Sequence, residues 1–153
     1  NEWAQFREVD DDAALSMYPE PSKPMKLLIG LIEELVKNLP IDKDRIYITG
    51  LSSGGAGTYD AIARYPHLFA AAVPVCGEGD VSIAPSIKHI PIWIFHGAED
   101  PAVDAHQSFS MVEALIKAGA NSGYTLYPET GHFSWLAAYS DHMMMEWLFR
   151  HRR

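Results

Sequence analysis

The chain has 153 residues, 48% hydrophobic and 21% charged, enough for one domain with a real buried core. Its net charge of −8 makes nucleic acid and anionic membrane surfaces poor partners. The single cysteine, Cys76, excludes an internal disulfide and a cysteine-rich metal site, and no apolar run approaches the ~18–20 residues of a membrane span.

In chain order, residues 1–22 read as irregular, with turn and loop signals at Asp10-Asp11-Asp12, Pro19, Pro21 and Ser22. Ser22 or Lys23 before Pro24 opens a helix, because proline suits a first helical turn. Leu27, Leu28, Leu31, Ile32, Leu35 and Val36 then recur at helical spacing up to Leu39-Pro40, a stripe expected to face a sheet. Arg45–Thr49 reads as a short strand, and Gly54–Tyr65 as a helix stopped by Pro66. Ala70–Cys76 is a second strand, with Cys76 read as a small buried hydrophobe. Gly77–Lys88 is expected to be a loop with a short helical turn. Ile90–Phe95 is a third strand, apolar throughout as for a strand covered on both faces.

Asp104 with Gln107 resembles a capping box. It opens a helix with Phe109, Val112, Leu115 and Ile116 inward and Gly119 as its stop. Tyr124–Tyr127 is a fourth strand, and a last helix is expected over Ala137–Arg150. Strands alternating with helices predict a three-layer α/β sandwich with a mainly parallel sheet, in a single domain over residues 1–153.

The chemistry is carried by Gly50-Leu51-Ser52-Ser53-Gly54, a G-x-S-x-G pattern between a predicted strand and a predicted helix. A serine on such a turn has its hydroxyl exposed, but it is a poor nucleophile without a base and a group to orient that base. In a parallel α/β sheet the active site lies at the carboxyl ends of the strands. Asp100 follows the third strand and His132 follows the fourth, so Ser52, Asp100 and His132 occur in the order associated with this elbow. Ser52 is assigned as nucleophile, His132 as base and then acid, and Asp100 as the group that fixes the imidazole. The Ser53 N–H supplies one oxyanion donor. Ser53 itself does not fit as nucleophile, since Leu51 stands where the pattern needs glycine.

Among the remaining candidates, Asp104 is the rival for the acid but is better explained as a helix cap, and Glu99 is expected to face solvent. His96 is assigned a structural hydrogen-bonding role. His142 and Glu146 read as a solvated face, and Met143–Met145 with Trp147–Phe149 as core packing. Trp135 either lines an acyl or alcohol pocket or simply packs.

The run from Arg45 to Asp60 resembles the α/β-hydrolase superfamily. Within it, the chain is most similar to esterases and peptidases related to phospholipase/carboxylesterase and polyhydroxybutyrate-depolymerase-like enzymes. Further matches are Tyr65–Ala70, Val73–Gly77, Phe95–Asp100 and Gly131–Trp135, so the resemblance spans about residues 24–150. It implies a serine carboxylesterase acting on short-chain or accessible esters, without metal or organic cofactor, and with a small-molecule ester as its partner. A serine peptidase is the alternative within the same chemistry. A weakly active or non-catalytic hydrolase fragment, serving in oligomerisation, is the alternative outside it.

Two departures stand out. Ser53 occupies a position where such enzymes often carry methionine. Only residues 1–44 precede the first strand, where family members usually have about four more strands and a His-Gly-Gly-like segment giving the second oxyanion donor. The chain therefore looks like the C-terminal half of a hydrolase, with the N-terminal strands missing, or like a naturally minimal one. The edge of its first strand is expected to be covered by a further N-terminal segment or by a homo-oligomer partner. With only about a dozen residues between Cys76 and Ile90, no lid is expected, which points away from long-chain lipase activity.

Overall fold

The structure, a computed structural model, describes residues 3–8 and 15–153. The expected turn at Asp10-Asp11-Asp12 lies outside the described residues. Around it the chain is not irregular, because β1 (Phe6–Glu8) and β2 (Leu15–Met17) pair antiparallel. This two-stranded unit is tied to the rest by polar contacts. The Met17 N–H donates to the buried Asp80 carboxylate at 2.9 Å, and the Arg64 guanidinium donates to the Tyr18 and Pro19 carbonyls. Such long-range tethers leave no periodic sequence signal.

Helix α1 spans Lys23–Asn38, and the Ser22 hydroxyl caps it by accepting the Met25 N–H at 3.2 Å. Its apolar stripe is only half covered. Met25 and Ile29 are buried with Leu28 and Ile32 packed beside them, whereas Leu27, Leu31 and Leu35 are exposed. Eight apolar positions, from Met25 to Val36, make an arc wider than one contact can bury, and the helix rests on the Met25 side of it.

Four parallel strands follow in spatial order β3-β4-β5-β6: β3 (Tyr47–Leu51), β4 (Ala71–Val75), β5 (Trp93–Gly97) and β6 (Gly123–Tyr127). Helix α2 (Ser53–Arg64) follows β3, and the short α3 (Ala84–Ile87) lies in the connection after β4. Helix α4 (Ala105–Lys117) follows β5, and α5 (Trp135–Ser140) and α6 (His142–Arg150) follow β6.

Two strands run further toward the site than expected. Asp42 accepts the Asp44 N–H and turns Lys43–Arg45 into a 3₁₀ turn, so β3 starts at Tyr47 and stays paired to Leu51. At β5 a turn closed by Ile90 N–H to Ile87 O, followed by Pro91 with no N–H to give, delays the strand to Trp93. His96 and Gly97 then pair with Leu126 and Tyr127.

The sheet separates two cores, because alternate strand residues point to opposite faces. Ala72, Ile92 and Ile94 join α1, α2 and α4 on one side. Ala71, Val73, Val75 and Phe95 join α5 and α6 on the other. This is the expected three-layer arrangement with a parallel sheet.

Two helix readings are corrected. On α4 the buried residues are Ser108, Met111, Val112 and Leu115, while Phe109 and Ile116 are exposed. The helix is turned so that a small polar residue, Ser108, faces the sheet. The last helix starts earlier than expected and is broken. A 3₁₀ turn (His132–Ser134) leads into α5, and Asp141 leaves helical geometry to cap α6 by accepting the Met143 N–H at 2.8 Å. Among the described residues no helix is long and apolar enough to cross a membrane.

Candidate active site

Ser52 occupies the one-residue step between β3 and α2, with φ +53° and ψ −121°. That region of backbone space is costly for a residue with a Cβ, and the surroundings enforce it. The Ser52 N–H donates to Val75 O at 3.0 Å, and the Ser52 carbonyl accepts the Ala56 N–H at 3.1 Å, so the turn is fixed on both sides. Gly50 lies against the Gly54 backbone, where any Cβ would collide with the carbonyl of Gly54. Gly54, by contrast, has open space where a Cβ would stand, so the turn does not require glycine there.

Asp100 lies in the loop after β5, and His132 begins the 3₁₀ turn after β6. These two loops are laced by backbone hydrogen bonds, Ala98 N–H to Tyr127 O and Glu99 N–H to Thr130 O, both at 2.9 Å. Gly97 permits the lacing, because a Cβ there would run into the Thr130 and Gly131 carbonyls.

The three side chains form one chain of hydrogen bonds. His132 Nδ1 is 2.7 Å from Asp100 Oδ2, and His132 Nε2 is 2.9 Å from Ser52 Oγ. The other Asp100 oxygen accepts the N–H groups of Ala102 at 2.9 Å and Val103 at 3.0 Å. Burial opposes ionisation of Asp100, but the hydrogen bond from His132 and those from Val103 and Ala102 outweigh it, and its pKa lies below the usual carboxylate range. An ionised carboxylate only accepts, so the hydrogen sits on His132 Nδ1. Nε2 then presents a lone pair to the Ser52 hydroxyl. The arrangement can draw a proton from Ser52 and hold the resulting imidazolium beside a negative charge.

The Ser53 N–H opens α2, and the N–H of a first helical residue has no partner within its helix. Ser53 is itself exposed. Trp135 stands edge-on to the His132 ring, centroids 5.2 Å apart at 87°, and 4.8 Å from the Phe133 ring. It thus packs against the imidazole.

Cys76 is fully buried, as expected, but it is also strained at φ +40° and closer to the site than a core residue need be. Its sulfur lies within 4.8 Å of the facing atoms of Asp100 and His132. Among the described residues this is the one group whose spacing suits a metal ion, but its carboxylate and imidazole already share a hydrogen at 2.7 Å. Burial pushes the thiol pKa up, which disfavours the thiolate that a metal or an electrophile would need.

Asp104 accepts the His106 N–H at 2.8 Å and caps α4, away from the imidazole. Glu99, His142 and Glu146 are exposed, and of Met143–Met145 only Met144 is fully buried. His96 is wholly buried and hydrogen-bonded to Ser108 and to Val103. Ser108 was absent from the sequence reading, although a serine among Met111, Val112 and Leu115 at helical spacing is a visible signal of a polar contact toward the core.

A cleft of about 530 Å³ lies along β3 and α1, lined by Trp3, Met25, Leu28, Ile48 and Phe69 among others. None of Ser52, Asp100 and His132 lines it.

A family model described as the dienelactone hydrolase family matches residues 10–142. The crystal structure of a thermostable esterase superposes with a TM-score of 0.85 at 44% identity, covering 87% of this chain and 38% of that one. An acyl-protein thioesterase 1 homolog of Dictyostelium discoideum is 33% identical over 118 residues, 73% of this chain and 53% of the relative. A bifunctional acetylxylan esterase/xylanase of Neocallimastix patriciarum is 30% identical over 96 residues, 63% of this chain and 14% of that protein. The chain therefore spans about half the length of the thioesterase homolog and less of the others.

Proposed function

This chain belongs to the dienelactone hydrolase family, and from that premise we propose that it hydrolyses carboxylic esters through Ser52, His132 and Asp100. The observation that carries the reading is the continuous hydrogen-bond chain from Ser52 Oγ through the His132 imidazole to Asp100, at 2.9 and 2.7 Å. Relatives described as esterases and a thioesterase support the reaction class.

Ser52 Oγ attacks the ester carbonyl carbon while its proton passes to His132 Nε2. The tetrahedral intermediate carries its negative charge on the former carbonyl oxygen, and the Ser53 N–H, the first of α2, is assigned as its donor. A donor of this type contributes about 10²–10³ in turnover. Collapse expels the alcohol, which takes the proton from His132 and leaves an acyl group on Ser52. Water, deprotonated by the same imidazole, then attacks the acyl-enzyme and releases the carboxylic acid. Asp100 remains ionised throughout and holds the tautomer.

The exposed side chains of Leu51 and Phe133 stand next in sequence to Ser52 and His132. That suits short or accessible esters. Turnover of p-nitrophenyl acetate by the chain beside its Ser52→Ala variant tests the proposal. The expected result is a loss of about 10⁴-fold or more in the variant. Equal rates in the two proteins would contradict it.

A further inference from the structure

Asp100 is held by more donors than the orientation of one imidazole requires. Oδ1 accepts the Ala102 and Val103 N–H groups. Oδ2 accepts His132 Nδ1–H, and it also lies 3.2 Å from Nε2 of His96, whose side chain is fully buried on β5. The same His96 nitrogen is 2.9 Å from the Val103 carbonyl oxygen. A carbonyl and a carboxylate only accept, so Nε2 carries the hydrogen and gives it to the Val103 carbonyl, with Asp100 Oδ2 3.2 Å from the same nitrogen. His96 Nδ1 is left with a lone pair. It faces Ser108 Oγ at 2.7 Å, and Ser108 is buried on the sheet side of α4. The Ser108 hydroxyl is the donor in that contact.

These contacts close a ring. Val103 gives its N–H to one oxygen of Asp100, and its carbonyl accepts the hydrogen of His96 Nε2, which stands 3.2 Å from the other oxygen. The loop carrying Asp100 is thereby pinned to the buried strand behind it. The opposite tautomer of His96 would point a lone pair at two acceptors, and a buried mismatch of that kind is costly.

We propose that His96 is a positioning residue for Asp100, its tautomer set by the two acceptors that face Nε2 and accommodated by the Ser108 hydroxyl at Nδ1. The relay then runs from Ser108 through His96, Asp100 and His132 to Ser52, from the buried face of α4 to the nucleophile. It rests on the serine-hydrolase reading above. His96 touches no reacting atom. It acts by keeping Oδ2 in line with His132 Nδ1, so its loss slows the chemistry at Ser52 through misorientation, which costs up to about a hundredfold for a displacement near 1 Å.

The test uses the full chain with Ser108→Ala, His96→Gln and His96→Leu. Glutamine can restore an N–H near the position of Nε2, whereas leucine fills volume without a donor. Nitrogen-15 NMR of the imidazoles reads the tautomer of His96, and the low-field proton resonance of His132 Nδ1–H reads its bond to Asp100. The rate of Ser52 labelling by a fluorophosphonate reads the nucleophile. The expected result is a His96 protonated on Nε2 in the unsubstituted chain and still so in Ser108→Ala, where both acceptors remain. The His132 resonance and labelling rate should be largely kept in His96→Gln and diminished in His96→Leu.

A His96 protonated on Nδ1 in the unsubstituted chain would overturn the proposal. So would a folded His96→Leu protein with an unchanged His132 resonance. If the unsubstituted chain labels no faster than Ser52→Ala, the hydrolase reading itself has failed. The two NMR readings still decide the role of His96 in that case.

Discussion

Ser52 and Asp100 show how single residues here are held in states they would not adopt alone. The serine is forced to φ +53°, a strain of roughly 1–3 kcal/mol that packing elsewhere must offset. The aspartate is buried yet ionised, because hydrogen bonds from His132, Val103 and Ala102 favour its charged form against burial. Its folded pKa is therefore below its unfolded value near ~4. The stability it contributes is complete above that unfolded value and is lost as pH falls through the folded one, because the unfolded chain binds the proton first. Urea unfolding against pH should show this acid limb in the unsubstituted chain and a shallower one in Asp100→Asn. The same variant should lose about 10⁴-fold in turnover, since its amide can favour the wrong imidazole tautomer.

At the scale of elements, the covered face of each helix follows what it must touch, not where its apolar residues are densest. Helix α1 buries Met25 and Ile29 and leaves Leu27, Leu31 and Leu35 in solvent. Met25→Ala should cost about 2–5 kcal/mol in a denaturant titration, whereas Leu31→Ala should stay within about 0.5 kcal/mol. Equal losses would mean that α1 is turned the other way. Periodicity told that α1 and α4 are helices but misjudged their rotation, because a wide apolar arc has several equally hydrophobic centres. On α4 the deciding contact is polar, the Ser108 hydroxyl against His96, and hydrophobic periodicity is blind to it. Asp141 was similarly hidden, since a cap in the middle of an apolar helical pattern stands out only once α5 and α6 are seen to diverge there.

For the whole molecule, the parallel sheet and the placing of Ser52, Asp100 and His132 after β3, β5 and β6 were legible, because strand–helix alternation implies such a sheet and its site lies at the carboxyl ends of the strands. The hairpin of β1 and β2 was not, since it is held by contacts to Asp80 and Arg64 that lie more than forty residues away. Among the described residues β3 pairs only with β4, and its other edge borders the apolar cleft against α1. The chain spans 53% of the Dictyostelium relative, so the central claim is whether these residues by themselves assemble a reactive serine. The direct measurement is mass mapping of the fluorophosphonate adduct on the intact chain and on its His132→Ala variant. A single adduct on the Ser52 peptide, formed rapidly and only when His132 is present, is the predicted result. An adduct on Ser53, or labelling indifferent to His132, would contradict it.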